Sequence, residues 1–371
     1  MPPVTALRPL PPQPADVPWP TADWPTAEPA VADRAALEAL VDRAFEDPAP
    51  EELGHCHALL VVHGGRLVVE RYGQRFVSEL HELAGVEHGP ITADEPLVSW
   101  SMAKSVIDVV VGLLAFDGLV SLDGRPPVPA WSGEDDPRAA ITWDHLLQMR
   151  PGLQWVEEYY EDKIAPGTVP DVLTMLYTDA SRDMAGFAEG FPLVHEPGTP
   201  EAYTYSSGTS NIVSAAAGRV IGGGEAGMRA YMADRLFGPL GMTSADPTFD
   251  EAGTFLASSY LDATARDFAR FGLLALRDGV WEGRRLLPEG WIDHARTPRS
   301  PEDNFVHGAH WWTTHQIRWG EFLADGFEGQ RIYCIPDLDL VIVRLGKTHT
   351  DHSPTMDAHL MQIAACFEGA S

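Results

Sequence analysis

The sequence predicts an α+β fold: an antiparallel sheet flanked by helices and built from both ends of the chain, with a helical domain inserted between. Three observations carry this expectation. Two apolar runs near the start, Ala58-Leu59-Leu60-Val61-Val62 and Arg66-Leu67-Val68-Val69-Glu70, are separated by His63-Gly64-Gly65, a hairpin signature. Strand-like runs return near the end at Ala309 to Thr314, Gln330 to Ile335 and Leu338 to Leu345, with Pro336-Asp337 as a turn between the last two. From Ser101 to about Leu240 the signals are mostly helical. The division that follows is an arm over residues 1–30, a sheet domain from residues 31–100 and 250–371, and a helical domain over residues 101–249.

Taken in order, the arm is crowded with proline (Pro9, Pro11, Pro12, Pro14, Pro18, Pro20, Pro25, Pro29), which denies it regular hydrogen-bonded structure. It is expected to lie extended on the body, with Trp19 and Trp24 as anchors. Val31 to Phe45 reads as a helix with Leu37, Leu40, Val41 and Ala44 on one side. The His63-Gly64-Gly65 run can form an oxyanion hole in some α/β-hydrolases, but those need Gly-x-Ser-x-Gly, which occurs nowhere in the chain. A tight turn is the reading that remains. Thr142 caps a helix from Trp143 to Met149, stopped by Pro151-Gly152. Asn211 to Val220 and Gly227 to Phe237 read as helices around Gly222-Gly223-Gly224. Between Glu157 and Glu189 eight carboxylates face only Lys163 and Arg182, which reads mostly as a solvated face. Thr264 to Arg277 and Ser353 to Phe367 are further helices.

Composition narrows the function. A formal charge of −28 argues against nucleic acid or an anionic membrane as partner, because a phosphate surface requires a basic one. No apolar run approaches the length of a membrane span, and the opening residues lack the apolar stretch of a signal peptide, so a cytoplasmic protein is expected. Cys56, Cys334 and Cys366 are odd in number and far apart, which implies no disulfide framework. His55-Cys56-His57 and His349-Thr350-Asp351-His352 lack the spacing of a zinc site.

The chemistry gathers at Ser99-Trp100-Ser101-Met102-Ala103-Lys104-Ser105-Val106, the mouth of a helix whose apolar residues continue at Val109, Val110, Leu113, Leu114 and Phe116 as one buried stripe. Asp117-Gly118 ends it. Ser101 and Lys104 lie on the same side of that helix, so the amine can reach the hydroxyl. A serine hydroxyl needs a neighbouring base, and lysine serves when burial frees its amine, whereas arginine stays protonated. The chain has only three lysines, Lys104, Lys163 and Lys347, and writes every other fixed positive charge as arginine. A lysine at this spot is therefore informative, against the plain reading of Ser101 as a cap and Lys104 as a solvated residue. A second loaded stretch is Tyr203-Thr204-Tyr205-Ser206-Ser207, where a phenol beside a lysine can exchange protons. A third is Ala324-Asp325-Gly326-Phe327-Glu328-Gly329-Gln330, opening a strand, where the backbone N–H of Phe327 can join that of Ser101 as an oxyanion hole.

Together these stretches resemble the penicillin-recognising serine hydrolases: class C β-lactamases, DD-peptidases, related esterases and especially the 6-aminohexanoate-dimer hydrolases. Ser101-Met102-Ala103-Lys104 looks like the first family motif and Tyr205-Ser206-Ser207 like the second. Gly326-Phe327-Glu328-Gly329-Gln330, followed by Ile335-Pro336-Asp337-Leu338, is similar to the third strand and its successor. The resemblance spans roughly Leu60 to Leu345. It implies an acyl-enzyme on Ser101, proton transfer by Lys104 and Tyr205, substrate contacts from Ser207, Gly326 and Phe327, and neither metal nor other cofactor. It also implies that Tyr160 and Asp171, on the loop between the first two motifs, close over an amide substrate and bind its ammonium.

One departure limits the substrate. β-Lactamases and DD-peptidases carry Lys-Thr-Gly or His-Thr-Gly in the third motif to hold the substrate carboxylate, where this chain has Ala324-Asp325-Gly326. The expectation is a small-molecule ester or linear amide as substrate, and at most a second copy of the chain as a protein partner. Two alternatives stay open: β-lactamase or D-amino-acid peptidase activity, and a non-catalytic binding module on the same fold.

Overall fold

A computed structural model describes residues 7–76, 89–159, 164–302 and 304–369. Its main sheet has eight strands: β1 (His55–His63), β2 (Arg66–Tyr72), β3 (Ser300–Pro301), β4 (Phe305–His307), β5 (Trp312–Thr314), β6 (Phe322–Gly326), β7 (Gln330–Ile335) and β8 (Leu340–Lys347). They lie in the order β2-β1-β8-β7-β6-β5-β4-β3, and every neighbouring pair is antiparallel. The two ends of the chain meet inside this sheet, one strand in from its β2 edge, where Leu60 pairs with Val343 and Val61 with Ile342. Gly64 and Gly65 form the two-residue hairpin loop, at φ of 54° and 74°, the left-handed pair that matches the twist of the strands.

The helices that frame the site are α1 (Arg34–Ala44), α2 (Met102–Phe116), α3 (Trp143–Leu147), α4 (Asp171–Tyr177), α5 (Ser207–Ile221), α6 (Ala265–Leu276) and α7 (Ser353–Ala365). Side chains alternate across the sheet. Leu59, Val61, Tyr333, Leu340 and Ile342 share a core with α1 and α7, while Ala58, Leu60, Val62, Ile332, Val341 and Val343 share the larger core with α2, α5 and α6. That larger core is continuous from the sheet into the helices between Met102 and Leu240. Helix α6 lies directly on the strands because residue 272 is glycine: a Cβ there would sit 2.6 Å from Ile332 and 2.8 Å from Val341.

The arm has an explanation in arginine. Its prolines leave carbonyls without ladder partners, and buried arginines take them: Arg270 Nε donates to Pro20 at 2.7 Å and Arg277 Nη1 to Pro11 at 3.1 Å. Trp19 packs on Trp281 at 4.8 Å between ring centroids, and the Arg270 guanidinium stands over Trp24.

Three differences from the sequence reading concern the site. Helix α2 has no solvent face along most of its length, because Met102 through Leu114 are all buried. Its polar residues therefore carry dedicated partners: Ser105 donates to the His310 carbonyl at 2.7 Å, and Asp108 accepts the indoles of Trp291 and Trp311 at 3.3 and 3.2 Å. Helix α5 starts at Ser207, four residues earlier than its apolar pattern, because Ser206 caps it by accepting from the Thr209 N–H at 2.9 Å. The stretch from Ala324 to Gln330 does not open one strand: Ala324-Asp325-Gly326 close β6, which begins at Phe322, and a turn over Phe327–Gly329 separates it from β7. Among the described residues no helix is long and apolar enough to cross a membrane.

Candidate active site

Short strand Leu97–Val98 pairs with Leu261–Ala263 and delivers the chain to the start of α2. Trp100, at φ 44°, occupies the left-handed region that a bulky residue rarely enters, and turns the backbone so that Ser101 stands at the helix entrance. Ser101 holds the N-cap position, yet its side chain makes no capping bond. Instead its Oγ accepts from Lys104 Nζ at 3.0 Å. Lys104 is only 2% exposed, which removes the reading of it as a solvated residue. Its amine also meets Ser207 Oγ at 3.1 Å and the Ser258 carbonyl at 2.7 Å. Burial pulls its pKa down to about 8, against the opposing pull of Glu157 and Asp325.

Tyr205 completes the group. Its phenol interacts with Ser101, which opposes the rise in its pKa. Lys104 Nζ stands 5.0 Å from its ring centroid, and Trp312 backs the ring at 5.3 Å. Burial, reinforced by the negative charge of Glu157, pushes the phenol well above its usual range, so it is neutral and proton-bearing near pH 7.

The structure thus brings Ser101, Lys104, Tyr205 and Ser207 into one cluster. Gly326 and Phe327 stand beside it. A Cβ on Gly326 would lie 2.5 Å from the Ser99 carbonyl, so only glycine lets the end of β6 approach the Ser101 segment this closely. The Phe327 ring meets Trp100 edge-on at 5.7 Å and Tyr159 at 5.5 Å. A cleft of about 510 Å³ opens here, lined among others by Glu157, Tyr205, Asp325, Gly326 and Phe327.

The two contacts expected from the loop fall differently. Tyr160 lies outside the described residues. Asp171 starts α4, and its Oδ2 accepts the Val156 N–H at 2.8 Å. The acidic stretch keeps Asp179 and Asp183 exposed, but two of its carboxylates turn inward. Glu189 is buried and pairs with Arg219 at 2.7 Å. Glu157 turns inward and accepts from Trp155 Nε1 at 2.6 Å, the Tyr159 hydroxyl at 2.9 Å, and both the hydroxyl and the N–H of Ser207 at 2.6 and 2.9 Å. Sequence reasoning passed over Glu157 because nothing distinguishes it from its acidic neighbours except the alternation Trp155-x-Glu157-x-Tyr159, which puts three polar-tipped side chains on one side of an extended segment.

Asp325 is not a bare carboxylate either. Across the β6–β7 pair it faces Arg331, with which it forms an ion pair. Burial pushes its carboxyl up to about 6, against the pull of that arginine. Arg331 in turn spends its donors on Asp357 at 2.8 and 3.2 Å and on the Gly326 and Gln330 carbonyls at 3.1 and 3.0 Å. This cation beside the third motif is committed to protein acceptors.

A family model named Beta-lactamase matches residues 45–365, most of the chain. The chain belongs to the β-lactamase family. It is accordingly a hydrolase, and its sheet and helices are those of the β-lactamase and penicillin-binding-protein fold. The 6-aminohexanoate-dimer hydrolase of Paenarthrobacter ureafaciens is 26% identical over 305 residues, covering 78% of this chain and 71% of that one. A Bacillus anthracis structure described as a candidate 6-aminohexanoate-dimer hydrolase superposes with a TM-score of 0.71 at 22% identity, over 98% of this chain and 92% of its own. A family VIII carboxylesterase gives a TM-score of 0.67 at 14% identity, over 93% and 99% of the two chains.

Proposed function

We propose that this β-lactamase-family hydrolase cleaves a small carboxylic ester or a linear amide, of the 6-aminohexanoate-oligomer kind, through an acyl-enzyme on Ser101. The observation that carries the reading is the buried Lys104 amine 3.0 Å from Ser101 Oγ, with the Tyr205 ring 5.0 Å from that amine. Lys104, with its pKa lowered to about 8, is the group able to take the Ser101 proton near neutrality. Tyr205 stays protonated and is suited to hand its proton to the leaving oxygen or nitrogen, recovering it from Lys104. The same pair then serves the water that releases the acyl group. Ser101 and Phe327 N–H groups are assigned to the oxyanion, and Ser207 and Gly326 to shaping the site around the acyl carbon.

The substrate class draws on the relatives just described and on the third motif. With its donors already taken, Arg331 is not free to hold a substrate carboxylate at the third motif, which disfavours penicillins. The test is hydrolysis of p-nitrophenyl butyrate, nitrocefin and the linear dimer of 6-aminohexanoate by wild type and Ser101→Ala. Ser101-dependent turnover of the ester or the dimer, with little on nitrocefin, supports the reading. Faster turnover of nitrocefin would make the protein a β-lactamase. No turnover and no acyl adduct by mass spectrometry would leave the non-catalytic module.

A further inference from the structure

Four hydrogen bonds converge on Glu157, and their directions decide where the lone pair of Lys104 points. The Ser207 peptide N–H and the Trp155 indole N–H can only donate, and both end on Oε2, at 2.9 and 2.6 Å. The hydroxyls of Ser207 and Tyr159 end on Oε1, at 2.6 and 2.9 Å. A carboxylate has no proton to return, so the Ser207 hydroxyl hydrogen is committed to Glu157. Ser207 Oγ therefore offers Lys104 only lone pairs at 3.1 Å, and the Ser258 carbonyl offers only lone pairs at 2.7 Å. A neutral amine carries two hydrogens and one lone pair. The two acceptors that cannot donate take the hydrogens, and the lone pair is left to Ser101 Oγ, the neighbour with a proton to give.

We propose that Glu157 is a positioning residue which, by fixing the direction of the Ser207 hydroxyl, turns the lone pair of Lys104 onto Ser101. The inference rests on the reading of Ser101 as nucleophile and Lys104 as its base. In the step it prepares, the Ser101 hydroxyl proton passes to Lys104 Nζ as the bond from Oγ to the carbonyl carbon forms. The carbonyl π pair moves to oxygen, giving an ammonium and an oxyanion. Glu157 exchanges no proton in this.

The glutamine variant is informative because of the same geometry. Two fixed N–H donors occupy the Oε2 side, so in Glu157→Gln the amide oxygen must sit there and its NH2 must replace Oε1. That NH2 faces the Ser207 hydroxyl, which then turns to donate to Lys104 and draws the lone pair away from Ser101.

The experiment is the second-order rate of Ser101 modification by a fluorophosphonate probe, followed by intact mass, which needs no knowledge of the substrate. It is run on wild type, Glu157→Gln, Glu157→Asp, Ser207→Ala and the Glu157→Gln/Ser207→Ala double variant. Glu157→Gln and Ser207→Ala should each slow labelling by about 10- to 100-fold, up to the lower bound of what a positioned base contributes, because the base is misdirected and not removed. The double variant should be no slower than the slower single one, because both act through one hydroxyl. Glu157→Asp should recover part of the rate. Wild-type rates in either single variant, or penalties that multiply in the double, would overturn the proposal. Ser207→Ala gives this answer even if Glu157→Gln folds poorly. A folded wild type that is not labelled at Ser101 would instead bring down the hydrolase reading, and this inference with it.

Discussion

Lys104 Nζ donates to the Ser258 carbonyl at 2.7 Å, closer than to either of the serine hydroxyls it serves. A carbonyl cannot give a proton back, so this contact anchors the amine in both of its protonation states. The state itself is set by burial. The Lys104 pKa falls to about 8 through desolvation, while Glu157 and Asp325 hold it from falling further. The other titratable groups facing it are kept neutral by burial: Tyr205 by a raised pKa, His307 and His310 by lowered ones.

With Lys104 as the proposed base of Ser101, the active form carries the neutral amine, and activity should be lost as that amine gains its proton. We expect kcat/KM for p-nitrophenyl butyrate to rise with pH up to about 8 and to level off above it. Lys104→Arg should retain the fold by circular dichroism and lose at least about 10²-fold in kcat/KM, since a guanidinium stays protonated throughout this range. An arginine variant with appreciable activity, or a profile flat from pH 6 to 9, would assign the base elsewhere.

Gly326 gives a prediction of a different kind. Its Cα hydrogen faces the Ser99 carbonyl, and a methyl group there would stand 2.5 Å from that oxygen and 2.8 Å from the Gln330 Cβ. Neither neighbour is the free end of a flexible chain, so the end of β6 must move away from the Ser101 segment. Gly326→Ala should cost roughly 1–3 kcal/mol of stability by urea unfolding, the usual range for overpacking. It should lower kcat/KM more than a change remote from the cleft of equal stability cost, because Phe327 moves with it. A variant that is destabilised yet fully active would separate this strand end from the chemistry.

How far the sequence could be read depended on whether the signal was local. Helix α2 and the pair of Ser101 and Lys104 were legible because an apolar period and a three-residue spacing lie in contiguous sequence, whereas Tyr205, 101 residues beyond Lys104, was reached through the resemblance of its motif. Strands β1, β2, β7 and β8 were legible because their apolar runs are long enough to show. Strand β4 was not, since three residues ending in His307 show no period. The run from Ala309 to Thr314 yields only β5 because a turn at His310, φ 56°, interrupts it. The inward turn of Glu157 was invisible for another reason. Its partners Ser207 and Lys104 lie 50 and 53 residues away in the chain, and one acidic residue among eight does not reveal which will be buried.

Asp108 offers a last test, on stability. It lies one turn beyond Lys104 on α2 and is wholly buried, with its Oδ2 accepting the indole N–H groups of Trp291 and Trp311. Its Oδ1 has no partner among the described residues. Burial pushes its carboxyl from the ordinary 3.8 up to about 8, more than the two indoles and the charge of Arg299 can offset. The folded chain therefore holds a proton that the unfolded chain releases above its ordinary pKa. Stability from this site is undiminished at low pH, falls as pH rises through that window, and levels off above about 8. Asp108→Asn keeps an oxygen for the indoles and removes the titration. The variant should melt close to wild type near pH 4 and above it at pH 8.5. The gap should be at least about 1 kcal/mol, on the order of 2 °C for a chain of this size. Equal melting temperatures for the two proteins at pH 8.5, or a gap that does not change with pH, would mean that Asp108 is held ionised by something other than the two indoles and Arg299.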